Sequence, residues 1–323
     1  MNAQKNNQIK KRKFLFIGMA AIALLLLSAG AICSFQQAYA EEKAPVFQQV
    51  KQTRYLKETS WLLQKPESRA EKAAKVKKSS KIQVSGTSES GWIRVIHEKK
   101  TCYIKSAKLD VYNGYLVAID AGHQRKGNPS KEPIGPGAKA KKPKVSSGAT
   151  GNYTGIPEYK LTLKMAKKLE TELKARGYKV KMIRTKHDVN LSNSQRAKIA
   201  NKAKADAFIR IHANSSESSG VSGALTISPT KKTPYCKSIY KESSRLSKVM
   251  LSRFCKATGA KNRGVMYTDT MSGINWSKVP VTIVEMGFLS NKTEDRKMNK
   301  SKTYQKKMTC GMADGIDAYF HRI

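Results

Sequence analysis

The chain has 323 residues, enough for one large domain and a small one. Hydrophobic residues at 39% and charged residues at 26% fit a soluble globular protein. The 62 Lys and Arg against 23 Asp and Glu imply an anionic partner. The lysines are spread over every segment, with no aromatic-interleaved block of the kind that reads single strands, which argues against nucleic acid.

The N-terminus opens with "KKRK" (10–13), an apolar run (14–33) and then Ala38-Tyr39-Ala40. A positive start, an apolar core and an A-x-A end make an export signal over 1–40. The apolar run is also long enough to span a bilayer, so an uncleaved anchor is the alternative. Export argues further against nucleic acid. Cys33 falls in the signal, leaving Cys102, Cys236, Cys255 and Cys310. None forms a C-x-x-C, so a cysteine zinc site is not expected. Buried free thiols are the default; Cys236 and Cys255 flank one predicted helix, which leaves a local bridge open.

Residues 41–53 read as a linker, and 54–110 as short strands: "KIQVSG", "GWIRVI" and "TCYIKSAKL" between Ser/Gly/Glu turns. This stretch resembles the second half of a bacterial SH3-like domain, with Cys102 where that pattern has glycine. The resemblance implies a small β-barrel that binds wall peptides.

From Tyr115 the texture alternates strand and helix. "LVAID" (116–120) is a continuous apolar run, as in a parallel strand covered on both faces. Residues 157–177 form an amphipathic helix with Leu161, Met165, Leu169 and Leu173 on one stripe, Pro157 at its entrance and Gly177 past its end. Strands follow at 178–184, 207–213, 223–228 and 279–287. Helices are predicted at 192–205, opened by the capping box Ser192-x-x-Gln195, at about 237–256 and at 302–320. The fold class is therefore α/β, a mostly parallel sheet with helices on both faces over 115–323. A Gly/Pro/Lys/Ser-rich loop, 124–157, interrupts it without periodicity.

Three strands end in chemistry-bearing residues: His123, His212 and Glu285. In an open α/β sheet the carboxyl ends of the strands share the binding edge. Glu158 arrives at that edge because the helix after a parallel strand starts there. Two histidines and one carboxylate as ligands, with a second carboxylate free as general base and then acid, make a catalytic zinc set. Glu132 in the long loop is a rival ligand; a helix holds the Glu158 carboxylate more rigidly. Asp120 is either the group orienting His123 or a structural strand end. His97, His187 and His321 read as solvated.

"VAIDAGH", "PEYKLTL", "ADAFIRIHAN" and "VPVTIVEMGFLSN", in this order, resemble the motifs of the zinc-dependent N-acetylmuramoyl-L-alanine amidases of the type-3 family, over about 115–321. The resemblance implies His123, Glu158 and His212 as zinc ligands and Glu285 as the catalytic residue. It implies structural roles for Arg196 and Asn201. The expected substrate is peptidoglycan, cut at the amide between the muramic acid lactyl group and L-alanine, by an enzyme secreted to or held at an anionic wall. No protein partner is indicated. A zinc peptidase acting within the stem peptide, or a non-catalytic wall-binding protein, is the alternative.

Overall fold

The computed structural model describes residues 44–321, so the expected signal or anchor at 1–40 lies outside the described residues, as does the side chain of His321. No helix among the described residues is long and apolar enough to cross a membrane.

Seven strands form the first sheet: β1 (Gln48–Leu56), β2 (Ser60–Leu63), β3 (Lys72–Val76), β4 (Lys81–Thr87), β5 (Trp92–His97), β6 (Lys100–Lys105) and β7 (Leu109–Asp110). They are ordered β3-β2-β6-β5-β4-β1-β7, with every pairing antiparallel. Alternation in β4 turns Ile82 and Val84 inward onto Leu62, Val95 and Ile104. Cys102 is buried in that core as a small apolar group. Strand β1 starts inside the segment read as linker. Its polar residues carry no strand pattern, and backbone pairing with β4 supplies the order instead.

The strands of the second sheet are β8 (Leu116–Ala121), β11 (Lys179–Met182), β12 (Ala207–Asn214), β13 (Ala224–Ser228), β14 (Asn262–Tyr267) and β15 (Val281–Phe288). Their order is β11-β8-β12-β15-β13-β14. Strands β11, β8, β12 and β15 run parallel, and β13 is antiparallel to β15. Helices cover both faces. On one face α1 (Glu158–Ala175), α3 (Tyr240–Thr258) and α6 (Lys302–His321) pack Leu169, Phe254 and Met312 against Ile119, Ile209 and Val284. On the other, α2 (Asn193–Lys202) and the short α4 (Ser272–Asn275) pack Ala197 and Ile274 against Ala118, Phe208 and Ile283. Helix α5 (Lys292–Lys300), capped by Asn291, was not read from the pattern.

The expected capping box opens α2, with Ser192 and Gln195 bonded reciprocally. All four cysteines among the described residues are free, so no bridge joins Cys236 and Cys255. The segment read as an aperiodic loop, 124–157, holds a hairpin of β9 (Asn128–Pro133) and β10 (Lys141–Val145). Pro129, Pro133 and Pro143 hide it from sequence reading. In a two-stranded sheet both strands are edges, where proline is tolerated.

Candidate metal centre

The period of two along β12 sets Phe208, Arg210 and His212 on one face, and along β15 it sets Ile283 and Glu285 there. His212 and Glu285 are register partners on adjacent parallel strands. The apolar residues anchor the strands under α2 and α4, and the polar ones emerge at the carboxyl edge.

His123 follows β8 with φ +61, a left-handed conformation that costs free energy for a histidine. Its surroundings hold it there. Arg196 Nη2 donates to its carbonyl at 3.0 Å, and Arg184 donates to the carbonyls of Ala121 and Gly122 at 2.8 and 3.0 Å. At Gly122 any Cβ would fall within the His212 ring. Gly148, with φ +85, passes so close that a Cβ would lie 2.7 Å from Glu158 Oε2.

Glu158 opens α1 directly after Pro157. Its carboxylate accepts from the backbone N–H of Ala149 (Oε2, 2.9 Å) and of Ala213 (Oε1, 3.0 Å). These bonds aim Oε1 at the histidines, 3.1 Å from His123 Nε2 and 3.2 Å from His212 Nδ1. The two imidazole nitrogens are 3.0 Å apart. Three donor atoms therefore form a near-equilateral triangle. A tetrahedral dication with ligand bonds of about 2.0–2.1 Å needs donors separated by roughly 3.3 Å, so the set can hold a metal ion.

Burial pushes the Glu158 carboxyl up, but hydrogen bonds from His123 and His212 outweigh it and hold the group well below the usual range. Burial lowers His212 to about 4, so its imidazole is neutral and ligand-ready at neutral pH. Burial raises Glu285 to about 8; the Glu158 charge adds to this and Arg210 opposes it. Glu285 Oε2 and His212 Nε2 are buried without a hydrogen-bond partner. A buried carboxyl oxygen without a partner, on a residue that lines a cavity, marks a place built to receive something. That cavity, of about 390 Å³, is lined among others by His123, His212, Glu285, Arg210, Lys142 and Asn193.

The structure corrects one expectation, for His187, and shows where Asp120 and Glu132 stand. Asp120 does not touch His123; it bonds Arg196 at 2.7 Å and Arg210 at 3.0 Å. The group on His123 Nδ1 is Ser146, through its carbonyl at 3.0 Å and its hydroxyl at 3.1 Å. Glu132 stands apart from the triangle. It accepts from the Ser194 N–H and from the Ser272 hydroxyl, because the hairpin carries it toward α2 and α4. His187 is partly buried rather than solvated, with its ring edge-on to Tyr159 at 5.3 Å and Nδ1 without a partner. Its loop folds over the start of α1. Arg196 and Asn201 hold backbone: Asn201 bonds the Trp276 carbonyl and the Lys278 N–H. Sequence reasoning missed Ser146, which no local pattern singles out. It also passed over Arg210, whose signal was visible: a charge inside an apolar strand requires a partner.

The family model for N-acetylmuramoyl-L-alanine amidase matches residues 117–318, from β8 to α6. This chain belongs to that amidase family. The amidase LytC of Bacillus subtilis is 31% identical over 176 residues, which are 54% of this chain and 33% of LytC. The chain thus spans a third of that relative. LytH of Staphylococcus aureus, named a probable cell wall amidase, is 26% identical over 253 residues, 77% of this chain and 74% of LytH. The crystal structure of the N-acetylmuramyl-L-alanine amidase Ami1 from Mycobacterium smegmatis superposes with a TM-score of 0.59 at 21% identity. It covers 66% of this chain and all of that one, and shows that the amidase fold is shared.

Proposed function

We propose that this amidase-family chain hydrolyses the amide between the muramic acid lactyl group and L-alanine of peptidoglycan, with a zinc ion held by His123, Glu158 and His212 and with Glu285 as the general base and acid. One observation carries the reading: three metal-type donors 3.0–3.2 Å apart share a cavity edge with a buried, unpartnered carboxyl. When bound, zinc supplies a Lewis acid and brings the pKa of water toward neutrality. Beside a dication the Glu285 carboxyl ionises at lower pH than in its absence, so the group becomes a base. It takes a proton from the attacking water. It returns that proton to the amide nitrogen as the C–N bond breaks, leaving a lactyl carboxylate and a free alanine amine.

Glu285→Gln should keep one zinc per chain by metal analysis and lower turnover by about 10²–10⁴-fold. Mass spectrometry of wild-type digests should show intact stem peptides with a free N-terminal L-alanine. Cuts within the peptide would instead identify a peptidase, and undiminished turnover by the variant would remove Glu285 from the mechanism.

The remaining features fit a protein acting outside the cytoplasm. The export-type leader and the cell-wall name of the Staphylococcus relative support that placement. The antiparallel module over 48–110 supports an SH3-like, wall-binding reading: its exposed Trp61 carries Lys72 and Lys75 at 5.1 and 5.8 Å from the ring. With a formal net charge of +39, binding to an anionic wall should weaken steeply from low to high salt. Salt-independent retention on purified sacculi would contradict an electrostatic contribution.

A further inference from the structure

We infer that Arg210 and Lys142 form a carboxylate-binding subsite inside the cavity that holds the metal-type triangle. The inference rests on the amidase reading for the identity of the carboxylate, not for the existence of the subsite.

Arg210 is 3% exposed and still lines the cavity. Its Nε donates to Asp120 at 3.0 Å and its Nη2 to Asn193 Oδ1 at 2.7 Å. Among the described residues no hydrogen bond uses Nη1. That nitrogen lies against Gly273, where even a methyl group would displace it. The guanidinium is therefore clamped on two sides, with one N–H group kept unspent. Asp120 does not neutralise it alone, because the same carboxylate also serves the fully buried Arg196. Two guanidinium groups share one carboxylate, and Glu132 is the other anion that acts on Arg210.

Lys142 adds a second cation from the opposite wall. It stands on β10, and its Nζ donates to the Thr270 carbonyl at 3.1 Å. A second contact runs to Met271 Sδ at 4.0 Å, so one of the three ammonium donors remains for a ligand. Burial and the nearby Arg210 charge hold Lys142 below its ordinary value, and Glu132 only partly opposes them.

A fixed guanidinium with an open N–H group, beside an ammonium in the same cavity, suits a carboxylate. The substrate class offers two sources. The stem peptide carries carboxylates on the amine side of the bond, and hydrolysis creates one on the lactyl side. Charge-assisted hydrogen bonds of this kind correspond to about ten- to a hundredfold in affinity.

Calorimetry on the zinc-loaded full chain separates the sources. One ligand pair is an L-alanyl peptide with the neighbouring carboxylate free or as the primary amide. The other is muramic acid with its lactyl carboxylate free or amidated. At least one pair should favour the free carboxylate by about tenfold or more, and that pair names the source. Lys142→Met, on a half-buried hairpin residue, should cut the preference to about twofold with Tm unchanged. Equal affinities within both pairs, or a preference that Lys142→Met leaves intact, would overturn the subsite. Failure of the wild type to cleave any muramoyl peptide would overturn the amidase reading alone, and the binding comparison would still decide the subsite.

Discussion

Asp120 shows how a residue can look like part of the chemistry and serve the scaffold beneath it. It sits three positions before His123, where it could either orient the histidine or end the strand structurally, and its oxygens face Arg196 and Arg210. Burial alone would raise its pKa; the two guanidinium groups outweigh burial and bring it down from 3.8 to about 2. The folded value lies below the unfolded one, so the unfolded chain binds the proton first as pH falls. The stabilisation is complete above about pH 4 and is lost as pH drops through about 2. Asp120→Asn should cost about 3–5 kcal/mol at neutral pH, because it strands two buried cations. Urea unfolding across an acid series should show a shallower pH slope for this variant below pH 4. A slope identical to wild type would mean that other carboxylates carry the acid sensitivity.

At the scale of elements, two glutamates of one segment have separate employment. Glu158 is fixed at the first turn of α1 by two backbone N–H groups and faces both histidines. Glu132 ties the β9–β10 hairpin to α2 and α4. Glu158→Ala should therefore abolish zinc retention. Glu132→Ala should keep full zinc content, lose about 1–3 kcal/mol of stability and raise KM as the hairpin wall of the cavity loosens. Zinc loss in Glu132→Ala would reverse the assignment. The sequence could name both candidates but not choose by contact, because the hairpin between them is built from residues with poor strand preference. Helix α1 was legible for the opposite reason: its apolar stripe, Pro157 and Gly177 are all local signals.

Over the whole molecule, the small β module is docked on the amidase domain at the far end of α1. Tyr55 donates its hydroxyl to the Arg176 carbonyl at 2.6 Å, and the Asn113 N–H donates to the Gly177 carbonyl at 2.8 Å. The Tyr55 ring occupies the space that any side chain at Gly177 would need, and Gly177 has φ +82. Arg176 is itself braced by Glu172, Asp314 and Asp317. Gly177→Val should undock the module and split a single calorimetric transition into two, while cleavage of small soluble substrates persists. One unchanged transition would show that this contact does not hold the two parts together.

The sequence by itself determined the alternation of strand and helix, the covered parallel strands and the arrival of His123, His212, Glu285 and Glu158 at one sheet edge. Each of these depends on period, capping or topology, which are local or follow from handedness and chain direction. Only the tertiary structure decided the partners. It assigned Ser146 to His123, took Asp120 away from it, moved Glu132 to the hairpin tether and left Arg210 with an open N–H group beside Lys142. Those outcomes turn on distances between side chains brought together from distant parts of the chain, and no spacing along the chain encodes them.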